Sequence, residues 1–251
     1  MFAEERRKTI LSMLTRDGRV EVIELANRFE VSEDTIRRDL RELAGLGFLQ
    51  KTHGGAVALD IPGLAWKARS QVLSAVKARI GARAARLVEA DQTVILDAGS
   101  TVLELARHLA VRPIKVITNC LDIANLLEAQ AGVSLVLVGG EWDAVNRYSS
   151  GTQAVRAIAE YRADWLFLGT CALHPQAGIT SKHAADAALK RAMLGSALKT
   201  VLLADHSKFG QVVPHFVAPL SALHAVVTDC AVDWLRDAGL ALLLADGAEA
   251  D

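Results

Sequence analysis

Apolar positions in the first sixty residues recur at helical spacing. Residues 3–15 carry Ile10, Leu11 and Leu14 on one side, an amphipathic helix that Asp17-Gly18 stops. A second helix over about 21–29 places Val22, Leu25, Ala26 and Phe29 at i, i+3, i+4 and i+7. The turn Glu30-Val31-Ser32 follows. Ser32 suits an N-cap, and Glu33 and Asp34 suit the positive end of the next helix dipole.

That third helix runs to about Ala44, ahead of Gly45 and Gly47. Ile36, Leu40 and Leu43 form one narrow apolar stripe. Arg38 and Arg41 lie almost opposite it, flanked by Arg37 and Thr35. Two helices joined by a tight turn, the second apolar inside and arginine-rich outside, predict a helix-turn-helix. Such a helix fits the DNA major groove, where Arg grips guanine or phosphate. An ordinary three-helix bundle with a solvated arginine face has the same pattern. Alternation in 48–53, the Gly54-Gly55 turn and the return through 56–59 predict a small β-wing.

Asp60-Ile61-Pro62-Gly63 breaks the pattern. The domains read as 1–57, a linker over 58–71 and a larger unit over 72–251. In the linker, Trp66 reads as packing at the hinge rather than as touching a ligand directly. From 72 on, short apolar strands alternate with helices. A helix over about 72–89 precedes a strand at 93–96, and a helix follows at about 101–110. Further strands fall at 116–117, 135–138, 165–169, 201–204 and 225–229, with helices near 152–161 and 183–198. This order predicts an α/β unit with a mostly parallel sheet covered on both faces.

Small, polar or acidic residues follow nearly every strand, and in such a sheet those loops share one edge, where ligands bind. Asp97-Ala98-Gly99-Ser100-Thr101 is the best single loop, with Gly99 open to close approach and Ser100 or Thr101 at a helix start. Ser100 merely capping its own helix is the plain alternative. Thr118-Asn119 and Gly139-Gly140 end two more strands. Lys190 stands one turn after Asp186, either as an exposed i, i+4 pair or as a cation and carboxylate gripping an anionic, hydroxylated ligand. Asp205 and Lys208 pose the same choice.

The 251 residues hold 28 Lys+Arg against 29 Asp+Glu, which excludes a protein that coats nucleic acid by bulk charge. Residues 1–56 hold 10 of each sign, so cations there act by geometry. Cys120, Cys171 and Cys230 are scattered, so neither a disulfide framework nor a zinc site is expected. The first residues show no apolar signal region, and no run approaches the roughly 18 residues of a membrane span, so a cytoplasmic protein is expected.

The stretch Val31-Ser32-Glu33-Asp34-Thr35-Ile36-Arg37-Arg38-Asp39-Leu40-Arg41-Glu42-Leu43, with Gly47, Leu49 and His53-Gly54-Gly55-Ala56, closely resembles the N-terminal signature of the DeoR family of bacterial transcriptional regulators. Lys51 stands where that family often has Arg, losing the planar fork. The likeness continues through Lys77, residues 97–101, Thr118-Asn119, Gly139-Gly140, Gly151, Asp164, Gly169, Gly178, Thr180, Lys190, residues 205–210 and Thr228-Asp229, spanning about 4–230 in unbroken order. It implies a winged helix-turn-helix before a sensor domain similar in fold to sugar-phosphate isomerases. The implied partners are operator DNA and a phosphorylated sugar-type effector that relieves repression of a catabolic operon, with no cofactor.

Ser32, Thr35, Arg37, Arg38 and Arg41 are then candidates for DNA contact, with Lys51 and His53 on phosphate. Asp97, Gly99, Ser100, Thr101, Asn119, Gly139, Gly140, Lys190, Asp205 and Lys208 are candidates for the effector. Three departures bear on effector identity: Asp143 where the family commonly has Arg, Asp186 where Glu is usual, and a distinct loop at 173–176. A homo-oligomer, dimer or tetramer, is expected because one helix-turn-helix covers little DNA. A sugar-phosphate isomerase on the same fold is the alternative, and a sensor that has lost its ligand is the third possibility.

Overall fold

A computed structural model describes residues 2–45, 48–58 and 66–246 of the chain. Gly47 and the break at 60–63 lie outside them. The chain forms two compact units, residues 1–63 and 64–251.

In the first unit the order is α1 (Ala3–Asp17), β1 (Arg19–Glu21), α2 (Val22–Phe29), α3 (Glu33–Gly45), β2 (Leu49–Lys51) and β3 (Gly55–Ala58). Gly18 ends α1 with φ 72°, a left-handed conformation that glycine adopts without strain. Ile10, Leu14, Leu25, Phe29, Ile36, Leu40, Leu43 and Leu49 close one core. Each such side chain, fully buried, contributes roughly 1.5–3 kcal/mol. β1 is new relative to the sequence reading. Three residues are too few to show a period, and β1 exists by pairing with β3, which also pairs with β2. Gly55 makes that pairing possible, because a Cβ there would lie 2.0 Å from the Val20 carbonyl oxygen.

The second unit begins with α4 (Trp66–Gln71) and α5 (Ser74–Ala85). The single helix expected over 72–89 is thus shorter. Leu73, at φ 55°, turns the chain between the two. Then come β4 (Thr93–Leu96), α6 (Ser100–His108), β5 (Ile114–Thr118), α7 (Leu121–Leu127), β6 (Val133–Leu137), the hairpin β7 (Glu141–Asp143) and β8 (Tyr148–Ser150), α8 (Gly151–Ala159) and β9 (Ala163–Gly169). β10 (Ala172–His174), β11 (Gly178–Ser181), α9 (Ala184–Gly195), β12 (Ala197–Leu203), β13 (His215–Ala218), β14 (Ala225–Thr228), α10 (Asp233–Asp237) and β15 (Ala241–Leu244) complete it.

Seven strands form one parallel sheet in the order β15-β14-β12-β9-β4-β5-β6. Alternate residues face opposite layers. Val94, Leu96, Phe167, Val201 and Leu203 pack against α5, α6 and α7. Ile95, Leu166, Leu168, Leu202 and Val226 pack against α8, α9 and α10. The chain runs outward from β4 through β5 and β6, then returns to β9 on the other side. The strand order therefore reverses between β4 and β9, where an open α/β sheet leaves a crevice. A second sheet, β10-β11-β13, is antiparallel, and the loop read at 173–176 includes the end of β10.

Candidate functional site

The first candidate surface is α3. Ser32 caps it, its Oγ accepting the Thr35 N–H at 3.2 Å and sharing a 2.9 Å hydrogen bond with Thr35 Oγ1. Arg37, Arg38 and Arg41 are all exposed, opposite the buried stripe. Arg37 is engaged within its own helix, by Glu33 at 2.6 Å and Asp34 at 3.2 Å. No ion pair among the described residues engages Arg38 or Arg41. Lys51 and His53 are exposed on and beside the wing. The contacts that orient this helix have no local sequence signal. Asp39, on the inner edge of α3, is buried and accepts from Arg6 Nε of α1 at 2.6 Å. Arg7 pairs with Glu42 one turn on.

The second candidate is the carboxyl edge of the parallel sheet. Strand alternation decides which way each acid there points. Leu96 faces α5–α7, so Asp97 turns toward α9, and Lys190 of α9 meets it. Lys190 Nζ also donates to the Gly169 carbonyl at 3.1 Å and lies 3.7 Å from Asp186. Asp97 Oδ2 accepts the Gly169 N–H at 3.0 Å, and Ser181 Oγ donates to Asp186 at 2.6 Å. Asp97, Asp186 and Lys190 are all buried. The Lys190–Asp186 pair is therefore not the exposed helix pair of the bland alternative. It closes the reversal point of the sheet.

The electrostatics follow from one cation between two carboxylates. Burial pushes the Asp97 carboxyl up to about 6; Lys190 opposes the shift and Asp186 adds to it. Burial disfavours the Lys190 ammonium, yet Asp186 and Asp97 together hold it above its usual value. Tyr148 of β8 is also buried, and burial with the nearby Asp186 raises its phenol. Tyr148 carried no signal in the sequence, because the hairpin that brings it there is short.

Asp205 falls two residues after Leu203, so it turns to the opposite layer from Asp97, toward α5. Burial raises its carboxyl, but Lys208 and Lys77 with the Ser207 hydrogen bond override this and hold it below the usual range. Lys77 was not among the candidates, although the resemblance includes it. Its signal was a lysine on the same helix face as Ile80, Gly81 and Ala84, all buried with it. The carboxyl edge thus carries two groups on opposite layers, not one. Their strands are two apart, roughly 10 Å at the usual strand spacing.

Thr118 Oγ1 donates to the Leu96 carbonyl at 2.7 Å and ties β5 to β4. Asn119 Nδ2 donates to the Ser149 carbonyl at 3.1 Å. Ser100 and Thr101 are buried at the start of α6, yet Ser100 does not cap it; Gly99 is the N-cap, and no side-chain bond forms there. Gly99 is extended, with φ 177°, and a Cβ added there would meet nothing nearer than 3.7 Å, so its position does not demand glycine. Gly139 and Gly140 follow the edge strand β6. Gly139 has open space around it, whereas a Cβ on Gly140 would lie 2.3 Å from the Ser150 carbonyl. Arg147, near the departure at Asp143, is held by Asp122 through two bonds of 2.8 Å. Asp143 Oδ1 accepts the N–H groups of Val145 and Asn146 at the turn.

Three buried oxygens at this edge receive no hydrogen bond: Asp97 Oδ1, Asn119 Oδ1 and Asp205 Oδ2. Buried acceptors are seldom left so. No cluster of metal-ligating side chains occurs among the described residues.

A winged helix-turn-helix, joined in one chain to a parallel-sheet unit with a polar carboxyl edge, defines a DNA-binding transcriptional regulator rather than an enzyme. Residues 6–61 match the DeoR-like helix-turn-helix domain, and residues 73–230 match the DeoR C terminal sensor domain. The chain belongs to the DeoR family. It is 32% identical over 231 residues to the HTH-type transcriptional repressor GlcR of Bacillus subtilis (strain 168), covering 91% of this chain and 89% of that one. It is 29% identical over 234 residues to the glycerol-3-phosphate regulon repressor of Escherichia coli (strain K12), covering 91% and 92%. Among solved structures, a ribose 5-phosphate isomerase A from Methanocaldococcus jannaschii overlaps 54% of each chain at 18% identity and TM-score 0.40, too partial to speak to function. No helix among the described residues is long and apolar enough to cross a membrane.

Proposed function

We propose that this regulator represses a carbohydrate or polyol catabolic operon and is released by a phosphorylated sugar-type effector bound at the carboxyl edge. One observation carries the reading: Asp97 Oδ1, Asn119 Oδ1 and Asp205 Oδ2 are buried acceptors without donors, at the carboxyl ends of β4, β5 and β12. Sugar or polyol hydroxyls are donors that fit them. The start of α6, with its outward N–H groups and the hydroxyls of Ser100 and Thr101, suits the phosphate. Lys190, Lys77 and Lys208 keep the edge from being purely acidic. The relative named for a glycerol-3-phosphate regulon supports the effector class. On DNA, Arg38 and Arg41 are the reading cations, with Arg37, Lys51 and His53 on phosphate. A homo-oligomer, dimer or tetramer, sets two such helices on paired half-sites.

A thermal-shift series tests this, using glycerol 3-phosphate, ribose 5-phosphate and glucosamine 6-phosphate beside their unphosphorylated forms. A phosphorylated member is expected to raise Tm with its concentration and to release the protein from its own promoter fragment. No rise with any member sinks the effector class and favours a sensor without a ligand.

A further inference from the structure

The carboxyl edge is joined to the start of α4 by the β7–β8 hairpin through an unbroken set of hydrogen bonds. At the site end, Asn119 Nδ2 donates to the Ser149 carbonyl at 3.1 Å, and the Ser149 N–H returns a 2.9 Å bond to the Asn119 carbonyl. The next residues, Cys120 and Tyr148, form a β-bridge. Arg147 then clamps Asp122 with both arms of its guanidinium. In the turn, the Arg147 N–H donates to the Asp143 carbonyl at 2.7 Å, and Asp143 Oδ1 accepts from Val145 and Asn146. At the far end the Val145 carbonyl accepts the Trp66 N–H at 3.1 Å.

That last bond satisfies the first N–H of α4, a group with no partner inside its own helix. The Trp66 ring is buried in the core cluster of α5, α6 and α7. Trp66 is also the first described residue after the connector to the DNA-binding unit. We propose that the β7–β8 hairpin is a strap that transmits occupancy of the carboxyl edge, sensed at Asn119, to Trp66 and so to the connector. The strap rests on the reading of that edge as the effector site. A donor that fills Asn119 Oδ1 reorients the amide, and the amide's other end holds Ser149. The turn at Asp143 fixes the tip of the hairpin, and the Arg147–Asp122 clamp ties the hairpin to α7 directly after Asn119, so a displacement at Asn119 is carried to the tip. Coupling of this kind requires two sites and a connecting element that both bias.

The test needs no ligand and uses the full chain. Asp122→Asn removes one charge from the clamp, and Arg147→Gly removes its other half at a φ of 58° that glycine adopts freely. In native-state hydrogen exchange, both variants are expected to speed exchange of the Trp66 amide at least tenfold, with amides of β4 and β9 unchanged. Their affinity for a fragment of the chain's own promoter is expected to shift several-fold, although α3 and the wing are untouched. Trp66 exchange unchanged in both variants overturns the strap. Faster Trp66 exchange with unchanged promoter affinity overturns its link to DNA. The phosphosugar series can fail without altering either result, so the two readings fall separately.

Discussion

Lys190 and Asp97, 93 positions apart in sequence, form a buried ion pair at the point where the strand order of the main sheet reverses. The pair joins α9 on one layer to the end of β4, and the Gly169 carbonyl at 3.1 Å adds β9. Removing the cation leaves Asp97 and Asp186 facing each other in a desolvated place. Lys190→Met is therefore expected to destabilise the sensor unit by about 3–5 kcal/mol. Denaturant melts of the full chain read this directly, and a loss under about 1 kcal/mol, the range of an exposed pair, would mean that the pair is solvated.

The Asp97 shift has a definite sign. Its carboxyl is raised from 3.8 to about 6, so the folded state holds a proton that the unfolded chain has already released. Its stabilising contribution is complete below about pH 4 and is lost as pH rises through about 6. Asp205, held low, contributes in the opposite sense, above the ordinary carboxylate range. Asp97→Asn is expected to gain stability relative to the parent chain between about pH 4 and 7. A difference between the two melting curves that does not change with pH argues against a shifted Asp97.

On the DNA-binding unit, Arg38→Ala is expected to weaken promoter binding by about 1–3 kcal/mol if the side chain reads a base. Arg37→Ala is expected to cost less, because Glu33 and Asp34 already hold Arg37. Fluorescence anisotropy at two salt concentrations compares them. Equal losses would place Arg37 and Arg38 in one role.

The buried Arg6–Asp39 pair makes a separate prediction for the same unit. Arg6→Met leaves Asp39 uncompensated beneath α3 and is expected to cost about 3–5 kcal/mol. Limited proteolysis should then cut within residues 1–63 while the sensor unit resists. Unchanged protease resistance would show the pair to be dispensable for α3.

Gly55→Ala tests the wing by shape alone. A methyl group there would overlap the Val20 carbonyl oxygen at 2.0 Å, so β1 and β3 cannot stay paired. Promoter binding is expected to fall at least tenfold with effector-edge stability unchanged. Normal binding would mean that β1 has no part in presenting the wing.

The elements legible in the sequence are those whose period is internal. The stripe of Ile36, Leu40 and Leu43 set α3 and aimed its arginines outward, and the short apolar runs marked the strands of the main sheet. Leu73 hid the break between α4 and α5, since nothing in a leucine signals a positive φ. The β7–β8 hairpin and the β10-β11-β13 sheet escaped notice because strands of three or four residues are too short to show a period, whether the partner is near in the chain, as in β7–β8 and β10–β11, or distant, as in β11–β13.

The candidate site divides in the same way. Polar residues after each strand are a local pattern, so Asp97, Asn119 and Asp205 could be named from the sequence, together with the edge they share. Family membership was equally carried by local motifs. Tertiary structure alone decided that Asp97 and Asp205 turn to opposite layers, that Lys190 is buried rather than solvated, and that Lys77 completes the second group. The physical reason is that a charge's role depends on its burial and on its counter-charge. Both are set by strand parity and helix docking, and neither is a property of neighbouring residues in the chain.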